Sequence, residues 1–214
     1  MEKKIEISFQ SQYYTMGNAG DQTKYIWIAC HGYGQLAKHF MRRFDVLNPV
    51  ENYIIIPQGL SSFYLTNDYA HVGASWMTKE NREIDIYNQH QYLNAIFNQE
   101  IKQFENQKVK LVLFGFSQGV STVWRWAVQR QLAFSKLVMW AGEFPREFTT
   151  ETLSFVPNEA KLYFVIGTKD QYYDPDRIQL LSAKMEKLCK KPETILFEGK
   201  HEVNRDIINQ IALD

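Results

Sequence analysis

Five segments of this chain are apolar almost end to end: YIWIACHG (25–32), YIIIPQG (53–59), KVKLVLFGF (108–116), KLVMWAG (136–142) and KLYFVIG (161–167). A strand with one wet face alternates apolar and polar residues, so a strand without alternation is buried on both faces. A sixth run, ETILFEG (193–199), reads as the last strand. Between the runs the spacing turns helical. Ile86, Leu93, Ile96, Phe97, Ile101 and Phe104 predict an amphipathic helix over 82–106. Further helices are expected at 118–131, 177–190 and 202–212, with a short one at 37–47. Apolar strands separated by helices imply an α/β fold, a mostly parallel central sheet with helices on both faces. KIEISF (4–9) and residues 12–15 read as edge strands, with GNAGD (17–21) as a turn. Residues 59–77 read as one long irregular stretch, and loops of that length are usually functional or mobile.

No linker, repeat or low-complexity segment divides the chain, so residues 1–214 are expected to form a single domain. Lysine plus arginine (24) equals aspartate plus glutamate (24), and no basic run stands out, which argues against nucleic acid as a partner. Cys30 and Cys189 form no CxxC pair, and nothing demands an oxidising compartment. The N-terminal MEKKIEISFQ lacks the apolar core of a signal peptide. No apolar stretch reaches about 18 residues, so stable membrane insertion is not expected. The simple expectation is a cytoplasmic protein.

In a sheet of this kind ligands bind beyond the carboxyl ends of the strands. Those ends carry His31-Gly32-Tyr33-Gly34, Gly115-Phe116-Ser117-Gln118-Gly119, Gly167-Thr168-Lys169-Asp170 and Glu198-Gly199-Lys200-His201. Ser117 sits where an apolar strand meets a helix. A sharp strand-to-helix turn strains the junction residue, and its neighbours at minus two and plus two must be small, as Gly115 and Gly119 are. The hydroxyl then stands clear of the surface at a helix N-terminus, where the N–H of Gln118 can stabilise an oxyanion. A serine is a poor nucleophile until a base takes its proton. His201 is the candidate base and Asp170 the candidate orienting acid, in the chain order serine, aspartate, histidine. Asp174, Asp176 and Glu143 also lie near strand ends and compete for the acid's role. The glycine-rich HGYG loop offers the second oxyanion donor, the N–H of Tyr33.

Other histidines are read without catalytic roles. His31 organises its loop through hydrogen bonds, and His39, His71 and His90 form no ligand-spaced cluster. With no HExxH, Walker or dinucleotide glycine motif, neither a metal nor an organic cofactor is expected. Phe63, Tyr64, Tyr69 and Trp76 crowd residues 59–77; they either pack that stretch onto the body or line a substrate pocket, with Trp76 the stronger pocket candidate.

These motifs resemble the small α/β-hydrolases of the phospholipase/carboxylesterase group, which includes acyl-protein thioesterases. GFSQG (115–119) matches the form used at the nucleophile, and HGYG (31–34) is similar to that group's HG-x-G-D loop. SWM (75–77), GTKDQYYDP (167–175) and GKHEV (199–203) resemble its tryptophan, aspartate and histidine segments. The resemblance implies an α/β-hydrolase fold without a large cap domain. It also implies a cofactor-free site with Ser117 as nucleophile, His201 as base then acid, Asp170 as orienting acid, and Tyr33 and Gln118 as oxyanion donors. Two departures stand out. Gln35 occupies the place where the group often has aspartate, and QYYDP replaces a valine-rich stretch, so that Tyr172 and Tyr173 suggest a narrower or more polar rim.

The expected function is therefore a serine hydrolase cleaving small-molecule carboxylic esters or thioesters through an acyl-enzyme. The alternative is a non-catalytic ligand- or partner-binding protein that keeps the fold. An aromatic patch near 59–77 offers a surface on which two copies could pair as a homodimer, or which could meet a membrane surface.

Overall fold

Residues 25–30 send Ile26, Ile28 and Cys30 to one face of a sheet and Trp27 and Ala29 to the other, each at most 1% exposed. Residues 161–167 do the same, with Leu162, Phe164 and Ile166 on the first face and Tyr163 and Val165 on the second. Strict alternation with both sides apolar creates two cores, one on each face of the sheet. Full burial of one such side chain stabilises the fold by about 1.5–3 kcal/mol.

The computed structural model describes residue 1 and residues 3–214. Its strands are β1 (Tyr13–Met16), β2 (Tyr25–Cys30), β3 (Asn52–Pro57), β4 (Ser61–Tyr64), β5 (Val72–Ser75), β6 (Lys110–Phe116), β7 (Lys136–Trp140), β8 (Lys161–Gly167) and β9 (Glu193–Phe197). Its helices are α1 (Ala37–Phe40), α2 (Arg82–Ile101), α3 (Gln118–Arg130), α4 (Pro175–Leu188) and α5 (Arg205–Leu213). Among the described residues seven strands form one sheet in the order β1-β3-β2-β6-β7-β8-β9. Every neighbouring pair is parallel except β1 against β3. Residues of α2, α3 and α4 fill the core on one face, and residues of α1 and α5 fill it on the other. This is the expected α/β fold with helices on both faces, and no large cap covers it.

Three expectations need correction. Residues 4–9 form no strand, and Ile5, Ile7 and Phe9 are 87%, 75% and 67% exposed. The chain is tied down at Gln12, whose carbonyl accepts from Tyr92 Oη (2.6 Å) and the Gln58 N–H (3.3 Å). Alternation alone does not make a strand where no apolar surface receives the buried side. Residues 37–47 form one α-turn, α1, then a 3₁₀ turn at Met41–Arg43 and further i→i+3 turns through Leu47. Ala37, Phe40, Phe44 and Leu47 are buried all the same, because turns of three and four residues present the same face. Residues 59–77 are not irregular throughout. They contain the antiparallel hairpin β4–β5, docked on the loop after β2 through Gly34 N–H to Ala74 O at 2.8 Å and Ala74 N–H to Gln35 O at 3.2 Å.

Candidate active site

Ser117 has φ 52° and ψ −116°, a conformation strained for any residue with a Cβ. Two close approaches hold it there. A Cβ on Gly115 would overlap the backbone of Val120, and one on Gly119 would overlap the Cys30 carbonyl. Strand β6 thus ends, turns within one residue and enters α3 pressed against the end of β2. The Ser117 N–H is fixed on Trp140 O at 2.8 Å.

The loops after β8 and β9 are joined before they reach the site. Thr168 N–H donates to Phe197 O at 2.8 Å, and Lys169 N–H donates to Gly199 O at 2.8 Å. That pairing extends the β8–β9 ladder and brings Asp170 and His201 together, with Asp170 Oδ2 2.7 Å from His201 Nδ1. Asp170 Oδ1 accepts the Tyr172 N–H at 2.9 Å. The Asp170 side chain is fully buried and that of His201 is 23% exposed, so the carboxylate is sheltered while the imidazole reaches the surface. An ionised carboxylate on Nδ1 makes that nitrogen the donor and leaves Nε2 as the free base. The His201 ring lies 5.0 Å from the ring of Phe116, the neighbour of Ser117, and 4.8 Å from Tyr172, which meets it edge-on.

The other candidate acids are engaged elsewhere. Asp174 caps α4 by accepting the Arg177 N–H at 2.7 Å, Asp176 lies in the first turn of that helix, and Glu143 pairs with Arg177.

The loop after β2 lies against the serine: a Cβ on Gly32 would stand 3.3 Å from Ser117 Cβ. Tyr33 follows, its ring stacked on Phe63 at 5.1 Å and 60% exposed. His31 braces this loop. Its Nε2 accepts the Gly59 N–H at 2.9 Å, so the ring proton sits on Nδ1 and donates to Gly32 O at 2.8 Å. Burial pushes His31 down to about 4, which keeps it neutral. Gln35 takes over a bracing role with an amide, its Oε1 accepting the Gly32 N–H at 2.9 Å.

The side chain of Gln118 was not foreseen as functional. Its Oε1 accepts the Trp76 N–H at 3.0 Å, and its Nε2 donates to Met77 O at 2.8 Å and Ser75 Oγ at 3.1 Å. One amide therefore bolts the end of β5 to the first turn of α3. Trp76, expected in the wall of a pocket, is only 1% exposed. Its indole N–H donates to His31 O at 2.8 Å and its ring packs 5.0 Å from that imidazole. It is a buried support of the loop, because a buried indole is satisfied by such a partner. Tyr172, by contrast, is 53% exposed at the rim beside His201. A groove of about 480 Å³ lies between α4 and β9, lined by Ile178, Ser182, Glu186 and Leu196 and by Thr168 and Tyr173 from either side of Asp170, but not by Ser117. Among the described residues no group of three or more His, Cys, Asp or Glu side chains is arranged to hold a metal ion, and no helix is long and apolar enough to cross a membrane.

A strained serine between a strand and a helix, on a parallel sheet whose last two loops deliver an aspartate–histidine pair, defines an α/β-hydrolase. The fold is shared with acyl-protein thioesterase 2 of Zea mays (14% identity, 95% of this chain and 97% of that one, TM-score 0.67). It is also shared with carboxylesterases of Mesorhizobium loti (14% identity, 94% and 93%, TM-score 0.70) and Bacillus cereus (14% identity, 94% and 91%, TM-score 0.67). The phospholipase/carboxylesterase family model matches residues 13–212, and the chain belongs to that family of hydrolases. No curated protein matches the sequence.

Proposed function

We propose that the protein is a serine hydrolase that cleaves carboxylic esters or thioesters through an acyl-enzyme on Ser117. The observation that carries this reading is the 2.7 Å contact of Asp170 Oδ2 with His201 Nδ1, formed beside the strained Ser117 turn. In the first step His201 Nε2 takes the Ser117 hydroxyl proton as Oγ attacks the substrate carbonyl. The imidazolium that forms is stabilised by Asp170, which stays ionised. The negative charge on the tetrahedral oxygen is received by the backbone N–H groups of Tyr33 and Gln118; one such donor is worth about 10²–10³ in rate. His201 then gives its proton to the departing alcohol or thiol. Water enters and loses a proton to the same nitrogen as its oxygen bonds to the acyl carbon; the bond from that carbon to Ser117 Oγ then breaks, Oγ takes the proton back from His201, and the acid leaves.

Membership of the family, the acid–base pair and the glycine-rich loop against Ser117 all support this reading. It is tested on a panel of acyl esters and thioesters of increasing chain length. Ser117→Ala should lose measurable turnover while keeping its circular dichroism spectrum and melting temperature. Wild-type-like turnover in that variant contradicts the proposal. A folded wild type inert to the whole panel, yet binding a defined ligand, favours a non-catalytic binding protein instead.

A further inference from the structure

Asp170 and His201 both lean on Tyr172. Its backbone N–H donates to Asp170 Oδ1 at 2.9 Å, and its ring stands edge-on to the His201 imidazole, with centroids 4.8 Å apart and planes at 77°. One residue therefore touches both members of the pair. It is more than half exposed, so burial of its ring does not hold it in place. Its carbonyl is held from behind, accepting from Arg177 Nη1 at 3.0 Å.

The same guanidinium is fixed on its other edge. Nε donates to Glu143 Oε1 at 3.0 Å, Nη2 donates to the same oxygen, and the group lies 5.2 Å from the centre of the Tyr173 ring. Glu143 follows Gly142, where a Cβ would overlap the Ser117 carbonyl and the Val120 side chain. Arg177 is set at the start of α4, where its own N–H donates to the Asp174 cap. A guanidinium is a rigid planar fork, so anchoring one edge on a carboxylate fixes where the other edge points. A chain of contacts thus runs from the serine turn through Glu143 and Arg177 to Tyr172, and from there to both Asp170 and His201.

We propose that Arg177, clamped on Glu143, is a positioning residue that aligns the Asp170–His201 pair through the Tyr172 backbone and ring. This rests on the reading of Ser117, Asp170 and His201 as the catalytic triad. The ion pair between Lys169 and Glu198 supplies the contrast. It lies in the same two loops, but its side chains are 61% and 81% exposed, so the pair is worth little.

The test compares wild type with Arg177→Met, Arg177→Lys, Glu143→Gln and, as control, Glu198→Gln. Steady-state hydrolysis of p-nitrophenyl butyrate is measured together with the rate and end point of labelling by a fluorophosphonate. In Arg177→Met, kcat is expected to fall about tenfold or more with KM changed by less than about twofold. Labelling slows by a similar factor yet still reaches one label per chain, which separates misalignment from loss of folded protein. Arg177→Lys recovers part of the rate, Glu143→Gln falls between, and Glu198→Gln matches wild type. Wild-type labelling rates in Arg177→Met, or an equal slowing in Glu198→Gln, overturn the proposal. Should Arg177→Met label only a fraction of chains, Glu143→Gln decides, because it keeps the guanidinium and loses only the anchor's charge; a wild-type rate there also overturns it. A wild type that takes no label at all removes the serine-hydrolase reading itself, and the clamp with it.

Discussion

The backbone of Ser117 is strained because Gly115 and Gly119 allow three segments to meet where side chains would not fit. Gly119→Ala places a methyl on the Cys30 carbonyl, which is backbone and cannot swing away. It should cost at least about 1–3 kcal/mol in urea denaturation and distort the turn enough to suppress activity. A variant as stable and active as wild type would show that the turn is looser than the geometry implies. Asp170→Asn tests the tautomer argument: an amide that donates to Nδ1 leaves the imidazole with its proton on the wrong nitrogen. Turnover should drop by about 10⁴-fold with the fold intact. His31 makes a pH prediction. Its folded value of about 4 lies below the ordinary 6.5, so above pH 6.5 both folded and unfolded chains hold it neutral and its contribution is complete. Between pH 6.5 and 4 the unfolded chain takes up a proton that the folded chain refuses. About 3 kcal/mol of stability is lost across that window, and no more below it. His31→Gln should be less stable than wild type at pH 7 but lose less on acidification to pH 4. Equal losses in the two proteins would remove His31 as the source.

Among the elements, the central strands and long helices were legible because burial on both faces leaves no choice of residue type. The edge was not. Strand β1 is tied to α2 through a buried carboxylate: Glu100 accepts from Tyr13 Oη of β1 and Tyr53 Oη of β3, each at 2.6 Å, and from Gln103 Nε2 at 2.8 Å. A buried glutamate on a helix looks like an exposed one until its partners are known. Glu100→Ala leaves those hydroxyls without their acceptor and should cost about 2–4 kcal/mol in urea denaturation. A loss below about 0.5 kcal/mol, typical of a surface substitution, would mean that β1 is held by its ladder to β3 alone. Residues 4–9 misled for the converse reason: Ile5, Ile7 and Phe9 carry a strand's period, but nothing in the described residues covers their apolar side. The hairpin β4–β5 was hidden because its turn residues and aromatics resemble those of a loop, and its pairing depends on docking to Gly34 and Gln35. Trp76 is ambiguous in the sequence for a related reason. A large aromatic beside a site suits a pocket or a prop equally well, and only the buried indole bond to His31 O decides between them.

At the scale of the whole molecule, a mostly parallel sheet gathers the loops of β2, β6, β8 and β9 at one end, and adjacent strands deliver adjacent loops. That is why the order of serine, aspartate and histidine was readable along the chain, and why Asp170 could be preferred as the acid nearest its strand end. The supports of those residues were not readable. Gln118's amide and the Glu143–Arg177 pair act through partners distant in sequence, and no local spacing announces them. This end of the sheet is proposed to hold an activated serine. That activation is tested most directly by intact mass after exposure to a fluorophosphonate, with peptide mapping and with the Ser117→Ala and His201→Ala variants alongside. A single adduct is expected on Ser117 of the wild type, none on Ser117→Ala, and greatly slowed labelling of His201→Ala. An unlabelled but folded wild type, or an adduct on any other residue, would contradict it.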